Sequence, residues 1–120
     1  MFVKIKLFSG VVAVTSIITA CAATPQYELI STKEQYVQTV SGRTLNLGNS
    51  STTIHDDGRM TGIAGNKEID GQWTWEGGKF CREGRIGNEA LKRDCQKMEL
   101  AGDRLKITRG DGSVGIFNIK

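Results

Sequence analysis

The chain has one histidine, one proline and three cysteines in 120 residues, and aromatic side chains make up only 7% of it. Each scarcity excludes something. One His and three Cys cannot assemble a four-ligand zinc set at normal spacing. No Cys-x-x-Cys occurs, the spacing that depresses a thiol pKa in redox motifs. No Gly-x-Gly-x-x-Gly is present and no βαβ pattern surrounds one, which excludes a dinucleotide site. No internal repeat or low-complexity tract is seen. No apolar run approaches the roughly 20 residues of a comfortable membrane span. The length allows one domain. No cofactor, no metal and no catalytic set is expected.

The N-terminus carries an address. Lys4 and Lys6 precede a mostly apolar run from Leu7 to Ile18, and small residues close it. This is the n-, h- and c-region pattern of a secretory signal. Ile18-Thr19-Ala20-Cys21 resembles a bacterial lipobox, an aliphatic residue and two small or β-branched ones before a Cys. The resemblance implies cleavage before Cys21, which would become the lipid-bearing N-terminus. Ordinary cleavage at Ala20-Cys21-Ala22 and an uncleaved anchor are the alternatives. Ala22 differs from the Asp that resembles an inner-membrane retention signal, which points to the outer membrane, facing the periplasm. The expected organisation is a lipoprotein signal peptide over 1–20, a lipidated N-terminus and tether over 21–30, and one β-rich domain over 31–120.

Charge and cysteine counts change with that reading. The formal charge is +3, from 16 Lys and Arg against 13 Asp and Glu. Losing Lys4 and Lys6 leaves 14 against 13, a formal +1. The strong basic field needed for sequence-independent nucleic-acid binding is absent. With Cys21 acylated, Cys81 and Cys95 remain, and an even pair in an exported chain reads as a disulfide. A redox-active pair is the weaker alternative, for want of the Cys-x-x-Cys spacing.

Past the tether, Ser31 with Glu34 reads as a capping box. Tyr36, Val37 and Val40 follow at helical spacing and Gly42 is a C′ candidate, so one short helix is expected over 32–41. The period then changes to two. Strands are expected over 44–47, 51–55, 59–64, 68–76, 79–85, 94–100, 104–109 and 113–119, with a loop over 86–93. Gly71, inside a strand, marks a bulge or sharp bend. Val114 and Ile116 oppose the parity of Phe117 and Ile119, so the last strand carries a bulge or is buried on both faces. About eight short strands with frequent turns give a mainly β fold: a small antiparallel meander forming a barrel-like (lipocalin-like) or tight sandwich domain with one short N-terminal helix.

The run Gly71-Gln72-Trp73-Thr74-Trp75-Glu76-Gly77-Gly78-Lys79-Phe80-Cys81-Arg82, followed by Asp94-Cys95-Gln96, resembles a family of small exported alphaproteobacterial proteins. Gly42-Arg43-Thr44-Leu45 matches the family's Gly-Lys/Arg-x-Leu stretch after a helix. The resemblance implies the β fold and the disulfide but no activity. Some relatives carry a dihydrodipicolinate reductase label, which the missing dinucleotide site argues against.

Several side-chain groups invite chemistry. Trp73 and Trp75 share a strand face and form either a core or a ligand stripe. Arg82, beside Cys81, could lie over a Trp face as a cation–π contact. Arg82, Arg85, Lys92 and Arg93 could form a cationic patch, although Glu83, Glu89 and Asp94 are interleaved with them. His55-Asp56-Asp57, Arg109-Gly110-Asp111 and the sequon Asn49-Ser50-Ser51 are each explained by turn chemistry.

The sequence therefore supports a non-enzymatic, lipid-anchored periplasmic module that binds an envelope component or protein. Two alternatives are a lysozyme-inhibitor-like protein, whose motif is not seen, and a lipocalin-like carrier of a small apolar ligand. Lipidation makes a direct prediction: Cys21→Ser should move the protein from the membrane to the soluble fraction. A variant that still sediments with membranes would refute the anchor.

Overall fold

The computed structural model describes residues 24–120 together with Gly10 and 12–14. Cys21 and, apart from Gly10 and 12–14, the other residues up to 23, which carry the expected export signal and lipidation site, lie outside the described residues. No helix among the described residues is long and apolar enough to cross a membrane.

The chain forms β1 (Glu28–Ile30), α1 (Lys33–Thr39), β2 (Thr44–Leu47), β3 (Ser50–Ile54), β4 (Arg59–Ala64), β5 (Lys67–Glu76), β6 (Lys79–Ile86), β7 (Glu89–Ala101), β8 (Arg104–Thr108) and β9 (Val114–Ile119). Strands β2 to β9 pair antiparallel with their sequence neighbours. β9 then pairs β2, with Leu45 opposite Ile119 and Asn46 opposite Asn118. The meander therefore closes as an eight-stranded barrel and not as a sandwich. Closure satisfies the edges that an open sheet would expose. Residues 28–30, read from sequence as tether, instead pair with β7, Ile30 lying opposite Met98. β1 thus continues the line of β6 along one edge of β7.

Alternation puts one apolar row inside. Ile69, Trp73, Phe80, Met98, Leu105, Ile107 and Ile119 are buried. The last strand is regular. Phe117 packs on the core, while Val114 and Ile116 are exposed on the outer face. Neither the expected bulge nor two-sided burial occurs there. The register shift falls instead between β6 and β7, where Arg82 faces Asp94 but Gly84 faces Leu91. β7 therefore carries one extra residue, a β-bulge. The bulge resets parity, so Leu91 and Asp94 both turn inward. For that reason 86–93 read as a loop, although Glu89 already begins a strand.

Gly71 lies opposite this irregularity. A Cβ on it would sit 2.7 Å from the Glu83 carbonyl oxygen, and one on Gly84 would collide with Asp70 O and the Gly71 Cα. The two backbones approach too closely for side chains. Gly62 is equivalent between β4 and β3, where a Cβ would meet the Ser51 carbonyl.

α1 plugs one end of the barrel. Its N-cap is Thr32, whose hydroxyl accepts from Gln35 N at 3.2 Å while Gln35 Oε1 accepts from Thr32 N at 3.2 Å. The capping box is one residue later than expected, because β1 occupies the chain up to Ile30. Gly42, at φ +81°, lies two residues past the C-cap Val40 and not one. The helix is too short to persist alone, so its burial fixes it. Tyr36 and Val40 are fully buried. The Tyr36 ring lies 5.3 Å from Trp73, 5.3 Å from Trp75 and 5.2 Å from Phe80, centroid to centroid. Trp73 and Phe80 stack at 5.6 Å. These contacts add to the area each ring removes from water.

The Tyr36 hydroxyl is buried with no hydrogen-bond partner among the described residues. Desolvation pushes its pKa well above the ordinary tyrosine value. The folded state thus disfavours tyrosinate, so Tyr36 leaves stability intact below about pH 10 and removes it as pH rises further. Tyr36→Phe should keep or raise stability at neutral pH by up to ~1 kcal/mol and should blunt alkaline unfolding. Tyr36→Ala should cost about 3–5 kcal/mol, the range for large aromatic truncation. Urea titrations at pH 7 and pH 11 check both, and a destabilised Phe variant would contradict the unpaired hydroxyl.

Candidate functional site

An up-and-down barrel alternates its turns between two ends. The β3–β4, β5–β6 and β7–β8 turns share the end that α1 closes. The β2–β3, β4–β5, β6–β7 and β8–β9 turns frame the other. Between them lies a lumen cavity of about 230 Å³. Eight strands enclose either a filled interior or room for one small ligand, and this barrel has the room.

The cavity floor is Tyr36 with Phe80, Met60 and Met98, and Leu45 and Ile54 line the same depth. Midway sit Thr52 and Gln96, both buried polar residues. Toward the mouth the wall includes Ile69, Ile86, Leu91 and Phe117, with Ser50, Arg82 and Arg109 as its polar members. The lumen is apolar with a few convergent polar groups, the composition of a ligand site.

Arg82 points inward from β6, with its side chain 16% exposed. Its Nη1 donates to the Lys92 carbonyl at 2.7 Å, at the β7 bulge. Asp94 is 4.0 Å from its Nη2. Asp94 is already engaged: its Oδ1 accepts from Gly110 N at 3.0 Å and its Oδ2 from Gln96 Nε2 at 2.9 Å. Burial lowers the Arg82 pKa from its ordinary value; Asp94 opposes this and the neighbouring Arg109 charge adds to it. Arg109, one residue past β8, keeps the inward parity of Leu105 and Ile107 and folds back over Gly115, its Nη1 donating to Ser113 Oγ at 3.5 Å. A Cβ on Gly115 would stand 3.0 Å from both Arg109 Nη2 and Phe117 Cε2. The missing side chain is thus what admits the guanidinium.

The residues singled out in the sequence divide. Trp73 and Trp75 do not line the lumen; they belong to the plugged end. Trp73 is buried and its Nε1 donates to His55 O at 2.8 Å. Trp75 is half-buried against Tyr36. Arg82 lies directly opposite Trp73 on the same inward face but makes no cation–π contact with it, its guanidinium being drawn to the Lys92 carbonyl; the cation over Trp73 is Lys33 at 5.8 Å. The anticipated cationic patch is dispersed. Arg93 pairs with Glu76, Arg85 holds the Asn88 carbonyl at 3.0 Å, and Lys92 is exposed.

His55 lies outside the lumen with Nε2 2.7 Å from Thr61 Oγ1. Asp57 accepts from Arg59 N and Nε within its turn, and those bonds hold its carboxyl below the usual range. Asp111 likewise caps Ser113 N at 2.9 Å, lowering its pKa. Arg109 is the residue whose role the sequence does not announce. Its parity with Leu105 and Ile107 is the available signal, obscured by the turn motif that follows.

Cys81 and Cys95 form a disulfide between directly opposed residues of β6 and β7. It lies on the outer face of the sheet, because the flanking Phe80, Arg82 and Gln96 face the lumen, and Cys81 is buried there. The Glu76 carboxylate lies within 4.8 Å of both sulfurs, but disulfide sulfurs offer no thiolate to a metal. No family model, curated protein or solved structure matches this chain.

The disulfide pins the two strands that carry Arg82 and Asp94. Replacing both Cys81 and Cys95 by Ala should lower unfolding free energy by about 3 kcal/mol, as the chain-entropy estimate for a loop near this length gives. Urea midpoints measure it, and an unchanged midpoint would show that the bond constrains nothing.

Proposed function

We propose that the protein is a non-enzymatic binding module of the cell envelope, and that its binding site is the barrel lumen. Among the readings open from sequence, geometry favours the lipocalin-like carrier. The observation that carries this is the cavity of about 230 Å³, plugged at one end by Tyr36 and framed by turns at the other. An engineered apolar cavity of about 150 Å³ takes up benzene, whereas drug-sized sites run to about 300–1,000 Å³. The lumen therefore suits a small molecule, somewhat larger than one aromatic ring.

On this reading the lipid on Cys21 holds the carrier at the outer membrane, facing the periplasm, and the near-neutral exported domain has no basic field to attract nucleic acid. The one histidine is engaged by Thr61 and does not line the lumen, which supports binding over acid–base chemistry.

Met60 and Met98 both line the lumen, and Met1 is the only other methionine. With methionine methyl groups isotopically labelled, 1-hexanol should shift the Met60 and Met98 resonances saturably. Thr52→Leu, which fills the same interior, should weaken that response at least severalfold. Met60 and Met98 signals unmoved by hexanol up to its solubility limit, and unmoved also by its carboxylate analogue hexanoate, would remove the carrier reading.

A further inference from the structure

We infer that the lumen ligand is a small monoanionic amphiphile, its carboxylate-like head meeting Arg82 and Arg109 and its apolar body lying toward Met60 and Met98. This rests on the lumen being the binding site and adds the chemical class of what it holds.

Two cations converge on the upper lumen from the two sides of β7, whose neighbours in the wall are β6 and β8. Arg82 comes from β6 and Arg109 from the end of β8. A guanidinium carries five N–H donors, yet Arg82 makes one hydrogen bond, to the Lys92 carbonyl. The nearby carboxylate, Asp94, stands 4.0 Å off and spends both oxygens on Gly110 and Gln96. Two positive charges thus face one negative one. The excess is a single charge, which matches a monoanion better than a phosphate dianion. Like charges brought together in a partly desolvated space disfavour each other, and an anion between them relieves that. Their forked donors suit carboxylate oxygens.

The backbone is shaped to this arrangement. The β7 bulge sets the Lys92 carbonyl where it orients Arg82, as bulges re-aim side chains near functional sites. Gly115 leaves the space that Arg109 occupies. Below the arginines the wall is apolar apart from Thr52, Gln96 and the Tyr36 hydroxyl. A charged end above and an apolar end below describe an amphiphile, and the cavity volume keeps it short.

Hexanoate and 1-hexanol are the probes, because they share a chain and differ in charge. In the full chain, the Met60 and Met98 methyl signals should report hexanoate binding at least tenfold tighter than hexanol at 20 mM NaCl. Raising NaCl to 0.5 M should shrink that ratio severalfold, since screening acts on charge alone. In Arg109→Gln the ratio should fall toward one, and in Arg82→Met likewise. Arg82 also ties the bulge, so Arg109→Gln with the salt titration suffices if Arg82→Met does not fold. Equal binding of both probes would overturn the anion inference while leaving the lumen site standing. Binding of neither would overturn both. A hexanoate preference that survives salt and Arg109→Gln would also overturn the assignment.

Discussion

One aromatic residue on a two-turn helix decides what the barrel can be. Tyr36 fills the space that Trp73, Trp75 and Phe80 leave at one end. Without that plug the lumen would lose its floor, and Trp73, Trp75 and Phe80 the ring they pack against. With it, the apolar row has a floor, and the remaining interior becomes a pocket with one mouth. The helix in turn depends on the barrel, since seven residues cannot hold a helix in water. Plug and wall are therefore mutually stabilising, and the pocket is the space their agreement leaves.

The upper lumen rests on a second constraint, the bulge in β7. An extra residue there turns Leu91 and Asp94 to the same side and places a carbonyl against Arg82. Glycine does the matching work elsewhere. Gly71 and Gly84 let β5 and β6 close up opposite the bulge, and Gly115 admits Arg109. The disulfide sits outside on the neighbouring pair β6 and β7, tying together the segments that carry the polar groups. A local irregularity, small residues and one covalent link thus convert a uniformly apolar interior into one with a charged end.

Other chemistry-bearing groups became structural. His55, Asp56 and Asp57 serve a hairpin turn and its neighbours: Asp57 binds Arg59, and Asp56 accepts from Ser41 Oγ. Glu76 and Arg93 pair on the outside. Their side chains satisfy local backbone or each other, whereas Arg82 and Arg109 line the lumen. Position relative to the barrel wall separates the two sets, not residue type.

Much of the fold is legible along the chain, because turns and alternation are local. Glycine with Asp or Asn marks nearly every hairpin, and period two by itself puts Ile69, Trp73, Leu105 and Ile107 on inward faces. The helix is legible from its capping pattern and spacing, within a residue or two. Three things are not. β1 is three residues long and pairs with a strand about seventy positions away, so nothing local announces it. The start of β7 is hidden because its bulge breaks the very alternation by which strands are read. The pocket is invisible because it is a remainder, the volume left when eight inward rows meet a plug. The sequence by itself determined the turns, the strands of the meander and their inward faces, all consequences of neighbouring residues. Only tertiary structure decided that the meander closes, that the tryptophans belong to the plugged end behind the floor, and that Arg82 and Arg109 share a lumen. Those outcomes depend on which distant strands become neighbours, and closure of the sheet alone sets that.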